Sequence, residues 1–143
     1  AYVPQAPFIA NDTLLNNLVY PYGKCDISKV KLLLDKLGLT DLYNGKITNL
    51  DDLVGENGVQ LSGGQAQRIS LIRAVLQNKD VLIIDEGTSA LDAVSSSLVV
   101  NLIDEIKSNK IIIIVSHKKD FLNICNKVFK LENNSLVDMN IVN

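Results

Sequence analysis

Two short runs of apolar residues, separated by a segment of helix length, constrain the fold of this chain most strongly. Residues 81–84 and 111–115 contain only valine, leucine and isoleucine, as expected of strands that are buried on both faces of a sheet. Between them, Asp92 is placed to cap a helix that extends to about residue 107. Strands that alternate with helices of about 10–15 residues indicate a parallel sheet with right-handed crossovers. The sequence therefore predicts an α/β fold with a parallel β-α-β core.

The rest of the chain predicts a helical first half and a hairpin at the end. Asp26 is placed to cap an amphipathic helix that Gly38 ends, and Ile27, Val30 and Leu34 form its core-facing stripe. Before that helix, the sequence predicts a strand at 2–3 that Pro4 ends and a helix from Asn11 or Asp12 to about Val19. After it come one more turn at 40–43, a loop at 45–60 and a helix at 66–77 that Ser62 caps. The last predicted elements are a short helix at 118–125 and two strands, at 128–131 and 136–139, joined by Asn133 and Asn134. This pattern divides the chain into a helical subdomain at 1–60 and the core with its hairpin at 61–143.

A glycine pair stands where the helix at 66–77 is expected to open, in the run LSGGQ at residues 61–65. Such a helix start offers backbone N–H groups and a positive dipole end to an anion. The strand at 81–84 follows 15 residues later and ends in two carboxylates, Asp85 and Glu86. Adjacent carboxylates can hold a hydrated Mg²⁺ and supply a base beside it. Together these features indicate nucleotide chemistry.

One expected part of a nucleotide site is absent from the sequence. The chain contains no G-x-x-x-x-G-K-[ST] run, the loop that holds the β- and γ-phosphates. Its nearest candidate, at residues 45–47, lacks both the earlier glycine and the hydroxyl residue. The sequence therefore predicts one half of a nucleotide-binding unit.

Polar side chains follow both predicted core strands. Asp85 and Glu86 follow the first strand, and Ser116 and His117 follow the second. Because ligands of parallel sheets bind at the carboxyl ends of the strands, these residues are expected at one edge of the sheet. Successive strand residues point to opposite faces, so the two carboxylates can serve two roles.

Composition excludes several classes of function. The chain of 143 residues has a net charge of −2 and a pI near 5.3, so no basic field favours nucleic acid as a partner. The longest apolar stretch, at 111–115, is far shorter than the roughly 20 residues that span a bilayer. Cys25 and Cys125 lie in no metal-type spacing and are expected to be buried or incidental thiols. A soluble chain without direct membrane insertion is predicted.

Taken together, these residues resemble the nucleotide-binding domain of ATP-binding cassette (ABC) transporters, which has a P-loop NTPase-like fold. LSGGQ at 61–65 matches the family's signature motif, and residues 81–85 match its Walker B strand. Glu86 matches the catalytic glutamate, residues 89–92 the D-loop, His117 the switch histidine, and Gln5 the Q-loop glutamine. The set stands in the family's order and spacing over essentially the whole chain. It indicates a C-terminal fragment of such a domain, with the Walker A loop expected upstream of residue 1.

The resemblance implies ATP and Mg²⁺ as cofactors and assigns a role to each matched residue. Glu86 would polarise the attacking water, and His117 would stabilise charge beside the γ-phosphate. Gln5 would touch Mg²⁺ or that water, and Asp85 would hold the shell of the metal. The residues implied to bind nucleotide at the interface with a second domain are Ser62, Gly63, Gly64, Gln65 and Asp92. Two such domains would meet head to tail with ATP between them.

Residues 54–58, Val-Gly-Glu-Asn-Gly, resemble a short loop that in exporters touches the membrane domain, although Asn57 stands where exporters usually carry Arg. Gly87 also stands where the family often has Pro or Ala. The resemblance implies an ATPase that powers export of an unidentified substrate, attached to a transmembrane domain at the cytoplasmic face of the plasma membrane. Without a Walker A loop, the isolated chain is expected to be inactive.

Each assignment also has a structural interpretation. Ser62 and Asp92 can serve as helix caps, the two carboxylates as an exposed strand end, and His117 as a structural residue. Two other functions stay open at this point. One is a non-transport ABC-type ATPase of chromosome maintenance or DNA repair, although those proteins separate the two motifs that Gln5 and Ser62 match by a long coiled coil. The other is a catalytically silent ABC-like interaction domain.

Overall fold

The computed structural model describes residues 1–40, 42, 49–56 and 59–139. The α-helices within these residues are α1 (Leu14–Val19), α2 (Ile27–Lys36), α3 (Gly63–Leu76) and α4 (Ala93–Ile106). The strands are β1 (Tyr2–Val3), β2 (Asp12–Thr13), β3 (Leu53–Val54), β4 (Val81–Asp85), β5 (Ile111–Val115), β6 (Phe129–Glu132) and β7 (Ser135–Asp138). The mixture of helices and strands confirms the predicted α/β class.

A three-stranded parallel sheet, in the order β1-β4-β5, forms the centre of the fold. Tyr2 pairs with Ile83, and at the other junction Asp85 pairs with Val115. Helix α4 lies between β4 and β5 in the chain and makes the crossover that a parallel pair requires. Because the three strands run in one direction, the segments that follow them lie at the same edge of the sheet.

The prediction that both apolar strands are buried on both faces is wrong. Leu82 and Ile84 are 2% and 0% exposed, whereas Ile111 and Ile113 are 64% and 49% exposed. Alternate residues of a strand point to opposite faces, so one face packs into the core and the other faces outward among the described residues. An uninterrupted apolar run shows that both faces of a strand can be buried, but it does not show which faces other elements cover.

The largest part of the core lies where α1 and α2 pack against α3. Its fully buried side chains include Leu14, Leu18, Leu34, Leu37, Ile69 and Ile72. Val30 and Leu34 of the predicted stripe are buried as expected, whereas Ile27 is 41% exposed because it opens α2. The signature-bearing helix α3 is therefore the element around which the helical half assembles.

Two arginines of α3 fasten it to the neighbouring helices. Arg73 donates from Nε to the carbonyl of Asn17 at 2.7 Å and from Nη1 to that of Phe8 at 3.1 Å. Arg68 Nη1 donates to the carbonyl of Leu37, just past the end of α2, at 2.8 Å. Burial lowers the pKa of both guanidinium groups, which remain charged at any ordinary pH. The bonds to Asn17 and Leu37 satisfy carbonyls that a helix end leaves without partners.

Helix α1 begins later than predicted because of a strand pairing that is remote in sequence. Thr13, and neither Asn11 nor Asp12, is its N-cap, with Oγ1 accepting from the backbone N–H of Asn16 at 3.0 Å. Asp12 instead pairs with Val54 in the antiparallel β2-β3 ladder. The predicted loop at 45–60 therefore contains a strand at 53–54.

In the C-terminal part, the structure confirms one local prediction and contradicts another. Asn133 and Asn134 have φ of 47° and 60° and join β6 to β7, which confirms the hairpin. The predicted helix at 118–125 is wrong, since only a 3-10 turn at Leu122–Ile124 forms there. The backbone N–H of Lys118 donates to Ser116 Oγ at 3.0 Å, which bends the chain where the helix was expected to start.

Some predictions concern residues that lie outside the part of the chain that the structure describes. The predicted turn at 40–43, the loop at 45–60 and the run at 45–47 fall wholly or partly on residues 41, 43–48 and 57–58. The division at residue 60 remains a prediction. Within the described ranges, no helix has both the length and the apolar character that a bilayer span requires.

Candidate functional site

Three predicted site residues meet at the carboxyl edge of the parallel sheet. Gln5 follows β1, and its Nε2 donates to Glu86 Oε2 at 2.8 Å. His117 follows β5, and its Nε2 lies 3.4 Å from Glu86 Oε1. The His117 side chain is 89% exposed, whereas that of Glu86 is 22% exposed. A mostly covered carboxylate thus stands between an amide and an exposed imidazole, where a ligand can approach from solvent.

The backbone of Glu86 adopts a left-handed conformation that glycine usually occupies. Its φ is 49°, and its N–H donates to the carbonyl of Val115 at 2.8 Å. A residue other than glycine in this region costs of order 1–3 kcal/mol and persists where the surroundings determine it. The turn that follows β4 therefore aims the Glu86 side chain at Gln5 and His117.

Asp85, the last residue of β4, faces a different partner. Tyr2 donates from its hydroxyl to Asp85 Oδ2 at 3.1 Å, and this bond raises the pKa of the Tyr2 hydroxyl. The two adjacent carboxylates therefore have separate surroundings, as the strand period predicts. Sequence reasoning missed Tyr2, because only the register of β1 on β4 brings its hydroxyl to Asp85.

The donor set is consistent with Mg²⁺ held mainly by other ligands. Among the described residues, no group of three or more His, Cys, Asp or Glu side chains is arranged to hold a metal ion. Mg²⁺ commonly takes only one or two carboxylates from a protein and completes its shell with water and phosphate oxygens. Asp85 offers one hard oxygen ligand and Gln5 an amide oxygen, which fits this pattern.

The signature segment forms a capping box at the start of α3. Ser62 Oγ accepts from the backbone N–H of Gln65 at 3.2 Å, and Gln65 Oε1 accepts from the N–H of Ser62 at 2.8 Å. Helix α3 begins at Gly63 and not at residue 66 as predicted, because this reciprocal pair closes the first turn. Gly63 and Gly64 therefore occupy first-turn positions whose N–H groups have no partner within the helix.

Gly64 lies closely packed against Ala90 and Leu91, which follow Glu86 in the chain. A Cβ at position 64 would lie 3.2 Å from the carbonyl oxygen of Ala90 and from Leu91 Cδ2, whereas one at Gly63 would meet only Ala90 Cβ at 3.8 Å. Within the described part of the chain, no hydrogen bond or ion pair joins residues 62–65 to Gln5, Glu86 or His117. The chain thus presents two separate groups of predicted site residues.

Asp92 caps the N-terminus of helix α4. Its Oδ1 accepts from the N–H of Ser95 at 2.8 Å, which confirms the predicted cap. That bond is the largest reason why the pKa of the Asp92 carboxyl lies below its ordinary 3.8, and the charge of Arg68 adds to the effect.

We expect the contribution of Asp92 to stability to disappear in acid. Since the pKa is lower in the folded state, the stabilisation is complete above the unfolded pKa and is lost as the pH falls through the folded one. The urea midpoint of the wild-type protein should therefore fall more than that of Asp92→Asn between about pH 6 and about pH 3. Circular dichroism measures both, with Asp80→Asn as the exposed control; equal pH dependence for the wild type and Asp92→Asn would contradict the assignment.

Comparison with known proteins identifies the family of this chain. The ABC transporter family model matches residues 1–89. An ATP-dependent lipid A-core flippase of Vibrio vulnificus (strain CMCP6) is 35% identical over 143 residues, which is 96% of this chain and 24% of that protein. The flippase of the same name from Aliivibrio fischeri is 34% identical over 139 residues, with the same coverage. The chain thus spans about a quarter of the length of these relatives.

A solved structure of a bacterial Atm1-family ABC exporter with ATP bound has the same fold. It matches with a TM-score of 0.84 at 26% sequence identity, over 95% of this chain and 24% of that one. The family model covers more than half of the sequence. The chain belongs to the ABC transporter family.

Proposed function

We propose that this chain forms part of the ATPase domain of an ABC exporter and that two copies build each ATP site together. The observation that carries the proposal is the separation of its two groups. Gln5, Glu86 and His117 meet at the sheet edge, while no hydrogen bond or ion pair among the described residues joins the signature segment at the start of α3 to them. One copy therefore supplies the carboxylate and the other supplies the helix start.

The sheet edge supplies the hydrolytic half of the proposed site. Glu86 accepts a proton from the attacking water, and the Gln5 amide at 2.8 Å holds the carboxylate in position. His117 is exposed at the same edge and can meet charge that develops on the terminal phosphate. Asp85 is the residue that would hold Mg²⁺, and the ion would neutralise phosphate charge.

The start of α3 supplies the second half. The first-turn N–H groups of Gly63 and Gly64 and the positive end of the helix face a γ-phosphate bound by the opposite copy, with Ser62 and Gln65 beside them. Asp92 stands nearby at the start of α4, where it contacts the partner copy. The chain contains no Walker A run, so the isolated chain is expected not to hydrolyse ATP, and tests of activity use the complete transporter.

A groove between the segment at Phe8 and helix α1 supports attachment to a transmembrane domain. It has a volume of about 250 Å³ and is lined by residues that include Phe8, Val19, Tyr20 and Arg73. Phe8 and Tyr20 are 66% and 61% exposed, and both line the groove, so they give it an apolar wall that faces solvent. We assign this groove to a segment of the transporter's own membrane domain, since the known exporters of this family carry one. The working location is then the cytoplasmic face of the plasma membrane.

Mixing two defective copies tests the shared site. Gly63→Asp places a carboxylate against the phosphate position but is compatible with the helix start, because its Cβ would meet only Ala90 Cβ at 3.8 Å. Glu86→Gln removes the base from the other half. Each variant alone should turn over little ATP, whereas equal amounts should recover roughly a quarter of wild-type turnover, because random pairing makes half of the dimers mixed and each has one intact site.

Gly63→Ala is the matched control, since it adds the same Cβ without charge and should remain active. Turnover is measured as phosphate release by the purified transporter in lipid vesicles. If the mixture is no more active than its two components while both variants still bind ATP and pair with wild type, each site is built within one copy. The shared-site proposal would then be wrong.

A further inference from the structure

Gln67 is a buried polar side chain that the proposed site has not used. It lies on α3 and is 1% exposed. Its Nε2 donates to the carbonyl of Glu86 at 2.9 Å and to Ser89 Oγ at 3.1 Å. Its Oε1 accepts from the N–H of Ala90 at 3.2 Å. One amide group of the signature-bearing helix therefore makes three hydrogen bonds to the segment that begins at Glu86.

This segment, residues 86–91, is called the Glu86 turn from here on. It begins with the left-handed φ of 49° at Glu86. Two internal bonds close it, from Ser89 N–H to the Glu86 carbonyl at 3.0 Å and from Leu91 N–H to the Thr88 carbonyl at 3.1 Å. A strained residue at the start of a turn needs support from outside it, and the buried amide of Gln67 provides that support at the Glu86 carbonyl.

Lys118 holds the same turn from a second element of the fold. Its Nζ donates to the carbonyls of Thr88 at 2.7 Å and Leu91 at 3.1 Å. Lys118 directly follows His117, and its N–H is held by Ser116 Oγ at 3.0 Å. A charged donor to a backbone carbonyl is stronger than a neutral one. The turn is therefore clamped between the signature helix and the segment that contains the histidine.

We propose that Gln67 and Lys118 are positioning residues that fix the Glu86 turn from two sides and thereby keep the Glu86 carboxylate beside Gln5 and His117. This inference rests on the proposed role of Glu86 in ATP hydrolysis. Neither side chain reaches the reacting atoms itself. Each acts through the backbone of the turn, so its loss misplaces the carboxylate without removing a group that binds nucleotide.

Gln67→Glu tests the first side of the clamp in the complete transporter. The variant is isosteric, but it replaces both N–H donors with an acceptor that faces the Glu86 carbonyl. We expect kcat to fall by about 10-fold or more with KM for ATP changed by less than about 2-fold, because a small misplacement affects chemistry more than binding. In a Glu86→Gln background the same change should cause no further loss. Gln77→Glu, at the end of the same helix, is the matched control.

Lys118→Met tests the second side, with Lys119→Met as the exposed neighbouring control and Lys118→Arg as the variant that keeps a charged donor. The same split between kcat and KM is expected for Lys118→Met, with recovery in Lys118→Arg. In both defective variants, hydrogen exchange at the amides of Ser89, Ala90 and Leu91 should be about 10-fold faster, while exchange in α4 stays unchanged. If Gln67→Glu does not fold, the kcat, KM and hydrogen exchange of Lys118→Met alone decide whether the proposal holds.

Two results would overturn the clamp. One is a kcat for Gln67→Glu and Lys118→Met that equals the kcat of their controls. The other is a loss of turnover that only follows the loss of folded protein, with kcat per folded molecule unchanged. Failure of the proposed function can be distinguished from failure of the clamp, because in that case the Glu86→Gln variant itself would keep normal turnover.

Discussion

Replacing Glu86 with glutamine should lower ATP turnover by the complete transporter by about 10²–10⁴-fold, the usual contribution of a general base. Glutamine has nearly the same shape as glutamate, so it can still contact Gln5 and His117, which lie 2.8 Å and 3.4 Å from the two carboxylate oxygens. It cannot accept a proton from water. Binding of ATP should therefore survive while hydrolysis stops.

Phosphate release measures turnover, and fluorescence titration with a nucleotide analogue measures binding. Glu105→Gln is the matched control, because Glu105 lies on α4, is paired with Lys36 and is remote from the sheet edge. It should leave turnover within about 2-fold of wild type, as surface ion pairs contribute little to stability. A Glu86→Gln transporter with normal turnover would remove Glu86 from the mechanism.

Replacing Gly87 with alanine should destabilise the protein by about 1–3 kcal/mol, the usual effect of overpacking a core. A Cβ at position 87 would clash with Ile84 Cγ2, and Ile84 is fully buried in β4. The side chain of Ile84 must move, or the turn at Glu86 must shift. Glycine at this position, where the family often has Pro or Ala, is therefore matched to the branched Cβ of its neighbour.

Ile84→Leu provides the test of that explanation. Leucine has the same number of carbon atoms but no Cγ2 branch, so the space beside position 87 opens. In an Ile84→Leu background, Gly87→Ala should cost less than about 1 kcal/mol, and the double-mutant cycle should show the coupling. Urea unfolding of the four proteins measures it. Equal costs in the two backgrounds would show that the close approach of Ile84 is not the cause.

The elements that sequence reasoning predicted well are those whose determinants are local. Asp26, Ser62 and Asp92 cap helices through bonds to residues two or three positions away, and Asn133-Asn134 makes its own turn. The ladder of β2 on β3 depends instead on two segments about 40 residues apart, so no local pattern showed it. The exposed faces of β5 depend likewise on which elements cover the sheet.

The candidate site shows the same division. The meeting of Gln5, Glu86 and His117 follows from parallel strands, whose carboxyl ends share one edge. The contacts of Tyr2 and Lys118 depend on side-chain directions that only the packed structure shows. Gln67 carried a signal, because a glutamine between Ala66 and Ile69 stands among core positions of α3, and a buried amide must find partners.

The reciprocal bonds between Ser62 and Gln65 also affect how quickly and tightly an anion can be held. They order the first turn of α3 in the chain itself, since each residue satisfies the other's N–H group. The conformational entropy of that turn is therefore lost during folding, and a phosphate that binds the proposed site would meet amides that are already preorganised. Breaking the pair would transfer this entropic penalty to the association step and weaken affinity even where every contact to the ligand could still form.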